Sequence, residues 1–374
     1  MDKNIIDIII NSEAFDDTYK IKHLLKNNQK ICIVGAGEGL VALERTIINP
    51  YNLEIEYFID AKFSNINEKN KCTLEEFFEL ELEDNFIFIL TFGNGKIRDK
   101  YEKELKSNGF VHLVWAPDIY EYSLHHFDKD IINGGVDYFI DKKDRIFEAY
   151  NLLEDKKSKD LFYTILTRYI TMVPNTVDSC SFSEQYLLVD FIPFDDCVNY
   201  ISCGAYTGDS VEKVLPWMPN IKNIFAFEPD PINFYELKNT CVKIRNETDL
   251  NLVCLQMGLH AKSGFLNFSN EKGLSSSIDE NGSSSIYVST VDDIFNLNGK
   301  TFLTMDIEGA EIDALKGAKN FIVHNKPYMA ISVYHYPHHL WDILLYLHSI
   351  NPNYKFKLRN YSGFTYESVL YASY

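Results

Sequence analysis
Short apolar runs alternate with amphipathic stretches in two separate parts of the chain. In the first part Ile31–Val34 reads as a strand, Gly35-Ala36-Gly37-Glu38-Gly39 as a turn and Leu40–Ile48 as a helix. Ile55–Ile59 is a second strand, ending at Asp60. Phe86–Leu90 is a third, followed by Gly93-Asn94-Gly95 and a charged helix over Lys96–Ser107. Val111–Trp115 is a fourth, closed by Pro117. The second part opens with a strand at Val198–Ser202 that runs into Gly204-Ala205-Tyr206-Thr207-Gly208-Asp209. Strands at Asn223–Phe227 and Leu252–Gln256 follow, then a hairpin-like region around Gly264–Phe268 and a Ser-rich loop over Ser275–Ser285. Phe302–Met305 and Tyr328–Val333 are further strands. Tyr354–Leu358 and Val369–Ala372 resemble an antiparallel closing pair. Between the two parts, Asp141–Met172 carries apolar residues at helical spacing (Phe147, Tyr150, Leu153, Leu161, Ile165, Tyr169) and reads as a helical connector that Pro174 ends.

Strand–helix alternation implies parallel sheets with crossover helices. The expected fold class is therefore α/β, with two Rossmann-like doubly wound units joined by helices. The expected division is 1–125, a connector at 126–180, and 181–374. A length of 374 residues agrees with two or three domains at roughly 100–200 residues each.

Composition narrows the function. With 36 basic and 54 acidic residues the net charge is −18, which argues against a main role in binding nucleic acid or an anionic membrane. The N-terminal apolar run is broken by Asp7 and followed by acids, unlike a secretory signal. No apolar run approaches the ~20 residues that a membrane span needs, so a cytoplasmic protein with no transmembrane segment is expected. The seven cysteines form no C-x-x-C pair, which disfavours a disulfide framework or a zinc ribbon.

A strand, a glycine turn, a helix and a second strand ending in an acid make a nucleotide-type cradle. The glycines admit a ligand to the backbone, and the acid accepts hydrogen bonds from ribose hydroxyls. The second part has this arrangement at Gly204–Gly208 with Glu228 about 20 residues on. Its G-x-x-x-G lacks the third glycine of the dinucleotide fingerprint. S-adenosylmethionine and a plain structural turn remain as readings.

Four motifs then occur in order: Tyr200-Ile201-Ser202-Cys203-Gly204-Ala205-Tyr206-Thr207-Gly208-Asp209, Phe227-Glu228-Pro229-Asp230, Met305-Asp306-Ile307-Glu308-Gly309-Ala310-Glu311 and Ile331-Ser332-Val333-Tyr334-His335. Together they resemble the FkbM family of S-adenosylmethionine-dependent methyltransferases, from about Ser181 to the C-terminus. The resemblance implies a class I methyltransferase fold with an antiparallel closing strand pair. It also implies methyl transfer to an oxygen, on a carbohydrate or glycoconjugate such as a surface polysaccharide or glycolipid. By motif position Gly204, Ala205, Tyr206, Gly208 and Asp209 lie at the cofactor, Glu228 at its ribose, and Asp230, Gln256 and Met257 near its adenine. Ser202 departs from the pattern, which has an acid at the end of that strand.

Asp306 and His335 end successive strands, where ligands bind in such sheets, and form a candidate general-base pair. Asp306, Glu308 and His335 are alternatively ligands suited to magnesium or manganese. Glu311 falls in the first turn of a helix, where the dipole favours acids, and His338 and His339 read as solvated. Tyr186, Glu308, Tyr334 and Arg359 are candidate acceptor contacts. Gln185 and Tyr186 are placed over the cofactor by resemblance.

The first glycine turn, with Asp60 about 20 residues later, is a second nucleotide-type unit. Thr91-Phe92-Gly93-Asn94-Gly95-Lys96-Ile97-Arg98 resembles the small Rossmann-like domain in front of some sugar acyltransferases, which binds nucleotide-sugars. The alternatives for this unit are a nucleotide-sugar site or a ligand-free scaffold for docking or homodimer formation. A non-catalytic or nucleotide-sugar-binding protein is the competing function for the whole chain.

Overall fold
The computed structural model describes residues 5–6, 30–44, 48–49, 53–64, 68–82, 86–92, 95–115, 136–171, 177–269, 277–278, 284–363 and 365–374. Gly93-Asn94, Pro117, Pro174, Met172, the stretch 126–135 and most of Ser275–Ser283 lie outside them. The chain divides into two compact units, Met1–Asp144 with Tyr163–Thr176, and Arg145–Phe162 with Val177–Tyr374. The stretch expected as a separate connector is thus shared between the two. No helix among the described residues is long and apolar enough to cross a membrane.

The N-terminal unit holds a five-stranded sheet: β1 (Lys30–Val34), β2 (Ile55–Ile59), β3 (Lys71–Cys72), β4 (Phe86–Leu90) and β5 (Leu113–Trp115). The order is β3-β2-β1-β4-β5, and every pairing is parallel. β4 is buried along its whole length, as the unbroken apolar run FIFIL requires of a central strand. The two-residue β3 and the helix Leu74–Phe78 are additions to the expected elements. That helix begins in a capping box, Thr73 Oγ1 accepting from Glu76 N while Glu76 accepts from Thr73 N. The first crossover helix spans Glu38–Leu43, and residues 45–47 of the expected Leu40–Ile48 lie outside the described residues.

The helical stretch expected over Asp141–Met172 is built of Lys143–Leu152 and Lys156–Thr171, with a further helix, Val136–Asp141, just before it. The last break has a tertiary cause. Leu153 bridges to Phe356, and Glu154 N donates to the Phe356 carbonyl at 2.9 Å. Asp155 then starts the next helix by accepting from Ser158 N at 2.7 Å.

The C-terminal unit is built on a seven-stranded sheet. Its strands are β6 (Cys197–Cys203), β7 (Asn223–Phe227), β8 (Asn251–Leu255), β13 (Lys300–Met305), β14 (Tyr328–Ser332), β15 (Lys355–Asn360) and β16 (Ser368–Ser373). The order is β15-β16-β14-β13-β6-β7-β8. β16 runs antiparallel to both its neighbours and the other pairings are parallel, which gives the expected closing pair. A small second sheet contains β9 (Gly258–Leu259), β10 (Gly264–Ser269), β11 (Ser277–Ile278) and β12 (Ser284–Ser289). The described residues of the Ser-rich stretch, expected as loop, therefore fall in strands. In the core Phe302 of β13 stacks on Tyr200 of β6 at 5.7 Å and meets Phe194 edge to face at 5.0 Å. The candidate site lies at the C-terminal ends of these central strands.

Candidate active site
Gly204 leaves β6 with φ +78°, and a Cβ on it would come within 1.8 Å of the Asp306 carbonyl oxygen. Only glycine permits this close approach of two strand ends. Gly208 (φ +99°) faces Thr240 in the same way and starts the helix Asp209–Val214. Tyr206, also left-handed at φ +49°, projects an exposed ring from the turn.

Glu228, directly after β7, is 7% exposed. Its Oε2 accepts from Tyr206 N at 3.0 Å and its Oε1 from Asp230 N at 2.9 Å. Burial pushes the carboxyl up to about 7, against the pull of these two N–H groups. Two accepted bonds leave further lone pairs on the carboxylate. Asp230 caps the helix Pro231–Glu247, its Oδ1 accepting from Ile232 N and Asn233 N. Gln256, exposed, and Met257 follow β8 at the same sheet end. Asp209 is exposed at the start of its helix. Ser202 is buried with its hydroxyl 3.1 Å from Ser210 Oγ, so the position where an acid was expected is closed into the core.

At the end of β13, Glu308 (φ +55°) and Gly309 (φ +96°) reverse the chain. The reversal brings Asp306, Glu308 and Glu311 round one imidazole. His335 Nδ1 lies 2.9 Å from Glu311, and its Nε2 lies 3.3 Å from Asp306 and 3.5 Å from Glu308. Asp306 also accepts from Tyr186 Oη at 3.1 Å and Tyr334 Oη at 3.2 Å. Tyr186 is itself fixed, its backbone N–H donating to Tyr371 Oη at 2.9 Å.

Glu311 departs from its expected role in the helix dipole. It is fully buried, accepts from Ile307 N at 2.9 Å, and holds a second imidazole, His339 Nδ1, at 3.3 Å. His339, expected in solvent, is 2% exposed. Its sequence neighbourhood, Tyr336-Pro337-His338-His339, carries no signal that it folds back onto Glu311. Burial lowers the His335 pKa, but Glu311, then Asp306 and Glu308, override it and push it up to about 10. The two imidazoles conversely hold Glu311 well below the usual carboxylate range, against burial. Burial raises Asp306 and lifts Glu308 to about 7. The cluster is thus an imidazolium among carboxylates. Glu367, just before β16, joins its rim: it accepts from Gln185 Nε2 at 2.5 Å, and burial lifts it to about 7.

Asp306, Glu311 and His335 place one donor atom each within 4.8 Å of one another. Glu311, however, already serves two imidazoles and a backbone N–H. A divalent cation would have to displace these ion pairs, a poor fit, and no step is derived through one. Arg359 stands apart from this cluster. Its guanidinium is buried on Asp155 (2.7 and 3.3 Å), Ser158 Oγ (3.0 Å) and the Leu358 carbonyl (2.7 Å).

The strand order and the reversed last strand are those of a class I methyltransferase fold. A crystal structure of Methyltransferase FkbM from Methylobacillus flagellatus KT shares it, with a TM-score of 0.76, 21% identity, and coverage of 99% of this chain and 97% of that one. Residues 202–358 match the family model described as the methyltransferase FkbM domain, so the C-terminal unit carries an FkbM methyltransferase domain. A Precorrin-6y C5,15-methyltransferase from Geobacter metallireducens GS-15 is a distant neighbour at TM-score 0.30 and 12% identity, covering 50% of this chain and 84% of that one. At that score it carries no argument. No curated protein matches the sequence.

Proposed function
We propose that the chain is an S-adenosylmethionine-dependent O-methyltransferase acting on a hydroxyl of a carbohydrate or glycoconjugate. The observation that carries this reading is the buried Asp306–His335–Glu311 cluster at the ends of β13 and β14, against the Gly204 turn. The residues fit the cofactor. Glu228 keeps acceptor capacity for a ribose diol, Gly204–Gly208 exposes backbone beside it, and Gln256 and Met257 flank the adenine side. When bound, the cofactor supplies a methyl group on a sulfonium, which an oxygen displaces in line.

The chain's own residues then have to orient a hydroxyl and take its proton. Glu311 holds Nδ1 of His335, so that Nε2 faces Asp306. With both ring nitrogens engaged, the imidazolium balances the Asp306 charge, and the carboxylate is the group placed to receive the proton. Tyr186 and Tyr334 hold that carboxylate in place. A sugar hydroxyl suits the polar, tyrosine-lined setting. The protein is proposed to work in the cytoplasm on an intermediate of glycan assembly.

The test is transfer of labelled methyl from S-adenosylmethionine to a panel of sugar nucleotides, oligosaccharides and glycolipids, with calorimetry of cofactor binding. His335→Ala is expected to bind the cofactor within about threefold of wild type and to lose about a hundredfold in transfer, because the Asp306 base loses the cation that orients and balances it. An active His335→Ala enzyme, or a protein that binds no cofactor, would sink the reading.

A further inference from the structure
The turn after β1 in the N-terminal unit repeats, contact by contact, the turn after β6. Gly35 is left-handed (φ +102°) like Gly204. Its N–H donates to the Ile59 carbonyl at 2.8 Å, as Gly204 N donates to Phe227 at 3.0 Å. The acid ending the next strand, Asp60, accepts from Ala36 N at 2.7 Å, as Glu228 accepts from Tyr206 N. Its other oxygen accepts from the N–H two residues on, Lys62 N at 2.9 Å, as Glu228 accepts from Asp230 N. Aspartate is one methylene shorter than glutamate, and it reaches one residue less far into its turn. On the opposite side, Thr91 N donates to Val34 O at 2.9 Å where Asp306 N donates to Cys203 O at 3.0 Å.

Two differences define what this second cradle can do. Thr91 stands in the place of Asp306, and its hydroxyl turns back onto the Val34 and Gly35 carbonyls. The position offers no acid or base. Lys62 stands in the place of Asp230, exposed, with its ammonium on the Ala36 carbonyl at the glycine turn. The cradle thus gains a cation where its counterpart has an anion. Beside it, the rings of Phe92 and Tyr101 stack at 4.7 Å and give a flat wall. Burial first, and the Asp60 charge second, raise the Tyr101 phenol.

We propose that the N-terminal unit is a non-catalytic binding site for a ribonucleoside phosphate, its ribose diol accepted by Asp60 and its phosphate met by Lys62. The carboxylate keeps lone pairs beyond the two backbone bonds it accepts, and a diol is the donor pair that matches them. Lys62 suits an anionic phosphate at this turn, where the acid Asp230 at the corresponding position of the other turn would repel one. The inference leans on the reading of Glu228 as a ribose acceptor, so the test treats the two turns separately.

Calorimetry on the full chain would use ADP, UDP, their 2′,3′-dideoxy counterparts and S-adenosylmethionine. ADP or UDP is expected to bind one per chain, and the matching dideoxy compound at least tenfold more weakly. Lys62→Glu, a change at an exposed side chain, is expected to weaken the nucleotide at least tenfold and leave adenosylmethionine unaffected. Glu228→Ala is expected to do the reverse. Failure of both nucleotides to bind, equal binding of the dideoxy compound, or nucleotide binding that follows Glu228 would overturn the proposal. Nucleotide binding that follows Lys62, without adenosylmethionine binding, would instead sink the Glu228 reading alone.

Discussion
Glu228 is a carboxylate that must be ionised to accept from a ribose diol, yet burial raises it to about 7. The sign follows directly. Above pH 7 the free protein already holds the ionised form, and below it the cofactor must displace a proton. Cofactor affinity is therefore expected to be flat above about pH 8 and about tenfold weaker at pH 6. Calorimetry across that range reads the slope, and a flat profile would show that Glu228 does not contact the ligand. Gly204 acts at the same scale by a different means. Its missing side chain lets the Asp306 carbonyl approach, so the turn and the acid are positioned by one contact. Glu311 shows the reverse case, where an acid in a first helical turn owes its role to what lies behind it rather than to the helix.

At the scale of elements, the edge strand β15 is fastened to the start of the helix Lys156–Thr171 by Arg359 and Asp155. The ion pair and the Ser158 hydroxyl replace a continuation of the preceding helix, which Leu153 and Phe356 interrupt. Removing one partner strands the other. Asp155 keeps some exposure, so Arg359→Ala is expected to cost about 2–3 kcal/mol, below the about 3–5 kcal/mol of a fully enclosed pair. By thermal melting this is a drop of roughly 5–10 °C, with cofactor affinity unchanged. A loss of affinity with unchanged melting would return Arg359 to the acceptor site. Periodicity shows the helical stretch but not its break: apolar spacing continues across Leu153, and β15 captures the backbone there.

On the scale of the whole molecule, one chain carries two turns of matching backbone geometry, one with Lys62 where the other has Asp230. Only one has an acid cluster behind it. Ligand linkage makes the two separable: S-adenosylmethionine at a hundredfold over its Kd is expected to stabilise the C-terminal unit by about 2.7 kcal/mol. Differential scanning calorimetry should show that gain in wild type and in Lys62→Glu, and its absence in Glu228→Ala. A shift retained in Glu228→Ala would place the cofactor elsewhere. The net charge of −18 sets no partner by itself; the acids that matter are the few enclosed at strand ends.

The strands of the two larger sheets apart from β3, their mainly parallel pairing, the antiparallel closing pair and the strand-end residues Glu228, Asp306 and His335 were readable in the sequence. Each follows from local patterning, since buried parallel strands are unbroken apolar runs and ligand-facing residues sit where those runs stop. The roles of Glu311 and His339, the closing of Ser202 into the core, the spending of Arg359 on Asp155 and the broken connector were decided only by tertiary structure. The reason is common to all of them. Whether a polar side chain meets solvent, a ligand or another side chain depends on which distant segment packs against it, and the 2.9 Å contact of Glu311 with His335 joins residues that no spacing rule connects.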